Sequence, residues 1–449
     1  MALVIDEQFL DNLESLIKNN EDSTIISLLA EEHSADIAEI IDELNLKNAT
    51  YLFKLLDSEL TAEALKDIDD DDREKILQNL SAEEIADEID ELDTDDAADI
   101  ISELPEERMS EVISEIEDKE HAQEIVELLQ YEEGTAGSLM AKELVKVNVN
   151  WTVPTAVRKM RAQAQEITRV HSIYVVDNND ILKGRLSLKD LLVSTAKARI
   201  EDIYISKVDS VNVEDDVEDV ARIMQKYDLE AIPVIDGDNR LLGRITIDDI
   251  VDVIKEEAEK DYQMAAGITD DVEADDNIIE LTKARLPWLV LGLFGGLAAA
   301  SIMGGFENAL NKFPELFFFT PLIAAMAGNV GVQSSAIIVQ GLANDNIKGS
   351  MINRLFKEIG LSLINGVILA ILIFIFGTFL NYNVNISITI AISLIIVIII
   401  ASLIGTFVPL ILDKKGIDPA VATGPFITTS NDIFGIFIFF YIAKIILGF

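Results

Sequence analysis

From Leu286 to Phe449 the chain is a succession of long apolar runs, and no other feature limits its fold so severely. Seven acidic residues (Glu307, Glu315, Asp345, Glu358, Asp413, Asp418, Asp432) and seven basic ones (Lys312, Lys348, Arg354, Lys357, Lys414, Lys415, Lys444) are spread through it, so it carries no net charge. The formal charge of −45 therefore resides wholly in residues 1–285. Five runs, about 286–306, 318–341, 359–380, 386–412 and 425–447, can each cross a hydrocarbon core of ~30 Å as a helix rising ~1.5 Å per residue. The chain thus joins an acidic soluble part to an all-helical membrane part.

Basic residues near the spans give the orientation. With the acidic part in the cytoplasm, Lys283, Arg285, Lys348, Arg354, Lys357, Lys414 and Lys415 fall inside, and Lys312 and Lys444 fall outside. Five spans then place the C-terminus outside a plasma (inner) membrane. The opening "MALVIDEQFLDNLE" has no basic flank and no long apolar core, so it does not read as a secretory signal.

The spans carry polar and small residues in patterns. Gly292 and Gly296 are four apart in the first, a spacing that suits close helix packing. In "AGNVGVQSS" of the second, Asn329 and Gln333 share a face, with Ser334 nearby, and either line a pore or bond between helices. Pro409 is expected to kink the fourth, and Pro425 suits the start of the fifth. On the fifth, Thr428, Asp432 and Gly435 align. A charge at the centre of a membrane helix costs roughly 2.5–3.5 kcal/mol on insertion scales, so Asp432 needs a reason. Lys444 lies about three turns further along, and no other basic residue is expected at its depth. Such a carboxylate points to a bundle interior or an aqueous path. Magnesium keeps its water and is held by few carboxylates. A two-fold dimer would bring two Asp432 side chains to one axis, where a hydrated divalent cation offsets their repulsion.

The acidic part divides in two. Leu44, Leu56, Ile68, Leu80, Leu92, Leu104 and Ile116 recur every twelve residues. The units between them open on Asp69, Ser81 or Asp93 as N-caps, or on Pro105 in a first turn, with Ser81 and Glu84 placed for a capping box. Short helices that cannot bury a face alone stack, so an α-solenoid is predicted over roughly residues 8–130. Next, "SIYVVDNNDILKGRLSLKDLL" repeats as "AIPVIDGDNRLLGRITIDDIV" at an offset of 59. Each copy reads helix, strand, turn, strand, helix. The two resemble a pair of CBS domains, α/β regulatory modules, over about residues 138–255.

Other classes fit poorly. There is no cysteine, so no disulfide framework or thiolate metal site is possible. Acidity argues against nucleic acid and suits cations. Three histidines, His33, His121 and His171, form no visible constellation, and no nucleophile motif is present, so an enzyme is not expected.

An acidic helical N-domain, a CBS pair, a connecting helix and five spans, in that order, resemble the MgtE-type magnesium channels. "AGNVGVQS", "GIDPAVATGPF" and "TTSNDIFG" correspond to that family's pore segments. The divisions are 1–135 (helical N-domain), 136–200 and 201–260 (CBS modules), 261–285 (plug-like connecting helix) and 286–449 (pore domain). The resemblance implies a homodimeric channel importing Mg2+, with Mn2+, Co2+ or Ni2+ as further candidates. It implies Asp432 as the selectivity carboxylate, with Asn329 and Thr428 beside it and Asp418 near an inner gate. Glu307 would sit at the outer mouth or be a solvated loop charge. It also implies a cytoplasmic magnesium sensor where acidic faces meet, drawn from Glu63, Asp95, Asp216, Glu218, Asp228, Asp249, Asp252, Glu257 and Asp261. Each of these can equally be a solvated acid or a helix cap. Val332, Gly424 and Lys260 depart from polar or acidic residues common in the family. CBS clefts also take adenine nucleotides, so ATP is a candidate ligand. A proton-coupled cation carrier using Asp432 is the alternative; a CBS-regulated anion channel would want basic or helix-N-terminal anion sites in the membrane, and Asp432 argues against it.

Overall fold

The computed structural model describes residues 4–449 apart from 165, 166, 168, 196, 270, 271, 274, 275, 344–346, 348, 349 and 423. Asp345 and Lys348, counted above among the charges, lie outside the described residues. The chain divides into two compact units, Met1–Ile254 and Lys255–Phe449.

In the first unit, helices α1–α10 run from Glu7 to Leu128; among them α5 spans Ser58–Asp67, α6 Asp70–Asn79, α7 Ala82–Ile89, α8 Thr94–Ser102 and α9 Glu106–Glu115. The twelve-residue rhythm arises because each helix presents one buried face and then turns. Leu44, Ile68, Leu80, Leu92, Leu104 and Ile116 are buried in one continuous core, with Leu56 packed against it. Asp69 caps α6 through the amide of Asp71, and Ser81 and Glu84 form the expected capping box on α7. Pro105 stands one residue before α9, as its N-cap rather than inside its first turn. Ion pairs tie residues thirty apart along the stack: Lys54–Glu84 at 2.6 Å, Lys66–Asp96 at 3.1 Å and Arg73–Glu103 at 2.5 Å. They hold one layer of the solenoid to the next.

Each repeated module is a three-stranded sheet. Strand β1 (Val145–Asn148) pairs parallel with β2 (Ile173–Val176), which pairs antiparallel with β3 (Leu182–Leu186). In the second, β4 (Val211–Asn212), β5 (Ala231–Ile235) and β6 (Leu241–Thr246) repeat the pattern. Helix α11 (Val153–Gln163) follows β1, and α12 (Leu188–Val193) follows β3. Helix α13 (Val217–Tyr227) follows β4, and α14 (Ile247–Ala266) follows β6. The leading strands β1 and β4 were not foreseen, being too short to show alternation. The tandem α/β pair after a helical N-domain agrees with the expected fold class.

Among the described residues of the second unit, five helices are long and apolar enough to span a membrane: α15 (Ile278–Gly304), α17 (Glu315–Ala343), α18 (Met351–Phe379), α19 (Val384–Asp413) and α20 (Gly424–Leu447). A short α16 (Glu307–Lys312) lies between the first two. The connecting segment 261–285 holds the end of α14, which stops at Ala266, and Ile278–Arg285, the first turns of α15. Helix α19 is the centre of the bundle, packing on α17, α18 and α20. Pro409 is accommodated inside it. Gly292 and Gly296 face open space, and the packed glycine of α15 is Gly295, which meets Thr429.

Candidate cation path and acidic cluster

Helices α17 and α20 run antiparallel with small residues at their contact. Ala327 faces Gly435, Gly328 faces Thr428 and Asp432, and Gly331 faces Ile427 and Asn431. The absence of a side chain at Gly328 leaves room for Asp432: a Cβ there would lie 3.6 Å from Asp432 Oδ1 and 3.2 Å from Thr428 Cγ2. Asp432 is partly buried, and no charged neighbour acts on it among the described residues. The expectation that the spans offer it no basic partner agrees with this arrangement. The Thr428 hydroxyl donates to the Gly424 carbonyl at 2.9 Å, so its oxygen is left as an acceptor.

Asn329 and Gln333 are both exposed on α17, on a face turned out of their own bundle, while Val332 between them is half-buried. Ser334 is not part of that face. It is buried and donates to Glu358 Oε1 of α18 at 2.7 Å. Asp418 is exposed and accepts from the amide of Ala420 at 2.7 Å, capping the turn that leads into α20. Glu307 is exposed in the first turn of α16.

The start of α20 rests on the end of α14. Gly424 has φ +40°, and a Cβ there would strike the Ala265 carbonyl. Glycine meets both demands of this position. Further back on α14, the Asp261 carboxyl is pushed above the usual carboxylate range, first by burial and then by Asp418 and Glu257. Lys260 pairs with Glu257 at 3.1 Å, so this departure neutralises one candidate ligand.

In the first unit the acidic residues converge at the solenoid–CBS boundary. Oxygens of Asp93, Asp95 and Glu143 all lie within 4.8 Å of one another. Asp95 is 7% exposed, and its carboxyl is held well above the usual range by burial first, then by Asp96 and Asp249. Asp96 is pushed up to about 6, chiefly by burial. Asp93, the N-cap of α8, makes no capping bond; it pairs with Arg244 of β6 at 3.1 Å. Glu143 accepts from Thr94 N and Oγ1 at 3.2 and 2.9 Å, and Arg244 Nε donates to the Glu143 carbonyl. Asp249 accepts from Thr246 N and Oγ1 at 3.0 and 2.6 Å. Three or four carboxylates with oxygen donors suit a hard divalent cation.

Of the candidate sensor residues in this unit, the structure brings Asp95 and Asp249 together. Glu63 is exposed and salt-bridged to Lys66 at 2.9 Å. Asp216 caps α13 through the amide of Glu218, Asp228 closes that helix in a left-handed conformation, and all three are exposed. Asp252 is exposed on α14. Asp93 and Glu143 were not among the candidates read from the sequence. The first read as a helix cap, and the second lies in a loop without periodicity.

Comparison with known proteins identifies the domains. A family model described as a divalent cation transporter matches residues 320–442, and one for the MgtE intracellular N domain matches 32–134. CBS domain models match 136–196 and 200–256. Magnesium transporter MgtE of Enterococcus faecalis is 39% identical over 322 residues, 72% of this chain and 71% of that protein. The Bacillus subtilis protein of the same name is 35% identical over 70% of each chain. A solved soluble part of a magnesium transporter superposes with a TM-score of 0.51 at 34% identity, covering 56% of this chain and 99% of its own. The cytosolic domain of the Mg2+ channel MgtE, solved in complex with ATP, does so with a TM-score of 0.51 at 32% identity, covering 54% and 99%. These relatives are transporters, in keeping with the absence of enzyme motifs. The chain belongs to the MgtE family of magnesium transporters.

Proposed function

We propose that this chain forms a homodimeric channel that carries Mg2+ into the cell and is shut by intracellular Mg2+. One observation supports the pore above all: Asp432, partly buried on an otherwise apolar span, faces Gly328 with no charged neighbour among the described residues. A carboxylate so placed is stabilised by a cation, and a hydrated Mg2+ shared with a second copy's carboxylate meets that need. Asn329 and Gln333 offer amides to the cation's water from the exposed face of α17, and Thr428 offers its hydroxyl oxygen. Asp418 and Asp261 lie where the path would open inward, with the first unit in the cytoplasm and the C-terminus outside.

Regulation follows from charge. Asp93, Asp95 and Glu143 repel one another when ionised, and Asp249 adds to the field on Asp95. A divalent cation bound there offsets the repulsion and favours the state in which these groups are close. Ligand and conformation are then linked in one equilibrium. The end of α14 is the mechanical element, since Ala265 abuts Gly424 at the start of the helix that carries Asp432. ATP in the CBS cleft is a further ligand by analogy with the relative solved in its complex. The decisive test is Mg2+ current in membrane patches with cytoplasmic Mg2+ varied. Asp432→Asn should abolish current while the dimer persists; undiminished Mg2+ current in that variant excludes the pore assignment.

A further inference from the structure

Asn431, immediately before the proposed pore carboxylate, is the most deeply buried amide among the described residues of the second unit. It is 1% exposed, and neither Nδ2 nor Oδ1 finds a hydrogen-bond partner. Its surroundings are tightly built. A Cβ at Gly331 of α17 would run into Asn431 Nδ2, and a Cβ at Gly405 of α19 would run into the Gly331 carbonyl. Gly331 is therefore pinched between two helices, with the Asn431 amide filling the hollow on one side. Thr406, next to Gly405, is also wholly buried, and its hydroxyl too lacks a partner.

An unpaired buried amide does not serve stability. Replacing such a group by an apolar one of similar size is neutral or stabilising, because the amide gives up water and gains no bond. Its value must come from what it positions. Consecutive residues on a helix point about 100° apart at 3.6 residues per turn. Seating Asn431 in the Gly331 hollow therefore fixes the rotation of α20, and with it the direction of Asp432 over Gly328, one turn away on α17. We propose that Asn431 is the positioning residue of the cation path: its flat amide keys α20 to Gly331 and so sets how Asp432 meets the hydrated ion. The proposal rests on the pore reading of Asp432.

The test uses the full-length protein in liposomes, with Mg2+ and Ca2+ flux, melting temperature and dimer content measured on the same preparations. Asn431→Leu and Asn431→Ala should stay folded and dimeric with a melting temperature near or above that of the wild type. Mg2+ flux should nevertheless fall about tenfold or more, as small misplacements of a reacting group do, and the Mg2+:Ca2+ flux ratio should drop towards one. Wild-type flux and ratio in either folded variant overturn the proposal. So does a loss of flux at unchanged ratio, or a loss of the folded dimer in both variants, since the role is then stability alone. Asp432→Asn is the control. If it still conducts, the pore reading fails; if it is inactive while Asn431→Leu matches the wild type, only the positioning role fails.

Discussion

Asp95→Asn tests the acidic cluster most directly. The oxygens of Asp93, Asp95 and Glu143 lie within 4.8 Å of one another. At an effective dielectric constant near 20, two unit charges at that separation repel by roughly 3 kcal/mol. Arg244 at 3.1 Å from Asp93 offsets part of this, so the repulsion between Asp95 and Glu143 is the term left standing. Asparagine keeps the shape and can still accept from the amide of Asp96, as Asp95 Oδ1 does at 3.0 Å. Residues 1–266, purified without divalent ions at pH 8, should therefore gain up to about 3 kcal/mol, or roughly 6–12 °C in melting temperature for a unit of this size. Saturating Mg2+ should raise the wild-type melting temperature by a similar amount, since a ligand at a hundred times its Kd contributes about 2.7 kcal/mol. In Asp95→Asn that Mg2+ response should fall by half or more. Asp87→Asn changes the net charge equally at an exposed site on α7 and should do neither. If Asp95→Asn and the wild type melt alike without Mg2+ and respond alike to it, the cluster does not bind the ion.

Glu88 gives a pH signature in the same unit. It is 7% exposed, accepts from Thr61 Oγ1 at 2.8 Å, and burial pushes its carboxyl up to about 8. Between its ordinary value and about 8 the folded state holds a proton that the unfolded state has released, so stability should fall as pH rises by up to about 1.4 kcal/mol per unit. Thermal melts of Glu88→Gln from pH 5 to 9 should lose that slope; an unchanged slope would place the titration elsewhere. Gly424→Ala should uncouple gating, because φ +40° and the Ala265 carbonyl both oppose a Cβ, at about 1–3 kcal/mol for the backbone strain. Patch recordings should then show a current that high cytoplasmic Mg2+ no longer suppresses, and normal suppression would mean that the α14–α20 contact carries no signal.

The sequence made some of this legible and hid the rest for identifiable reasons. The solenoid announced itself because a buried leucine or isoleucine closes each unit, and the CBS pair because its hairpins repeat at a constant offset. The lone charge of Asp432 stood out against an apolar run. Strands β1 and β4 did not, because four residues or fewer give no period. Glu143 was invisible as a partner because it meets Asp93 and Asp95 only through tertiary folding, 50 residues separating it from Asp93, and Asp93, two residues before Asp95, read as a cap. Gly424 looked like the loss of a polar group, whereas its backbone angle and the neighbouring carbonyl explain it.

The two acidic sites differ in a way that bears on how one ion can act twice. In the bundle the proposed path offers the cation a single carboxylate, beside the Thr428 hydroxyl oxygen and Gly328. Few charges and much retained water favour rapid exchange, which conduction requires. At the solenoid–CBS boundary at least three carboxylates converge in a partly dry setting, with Asp95 almost wholly enclosed. Crowded charge and burial make the ion-free state costly there, so occupancy changes the balance between conformations rather than simply filling a site. On the proposed reading, a pore of low charge and a sensor of high charge would let the same cation pass quickly at one place and dwell at the other. The same contrast runs through the chain as a whole, whose net charge of −45 is confined to residues 1–285 while residues 286–449 carry none.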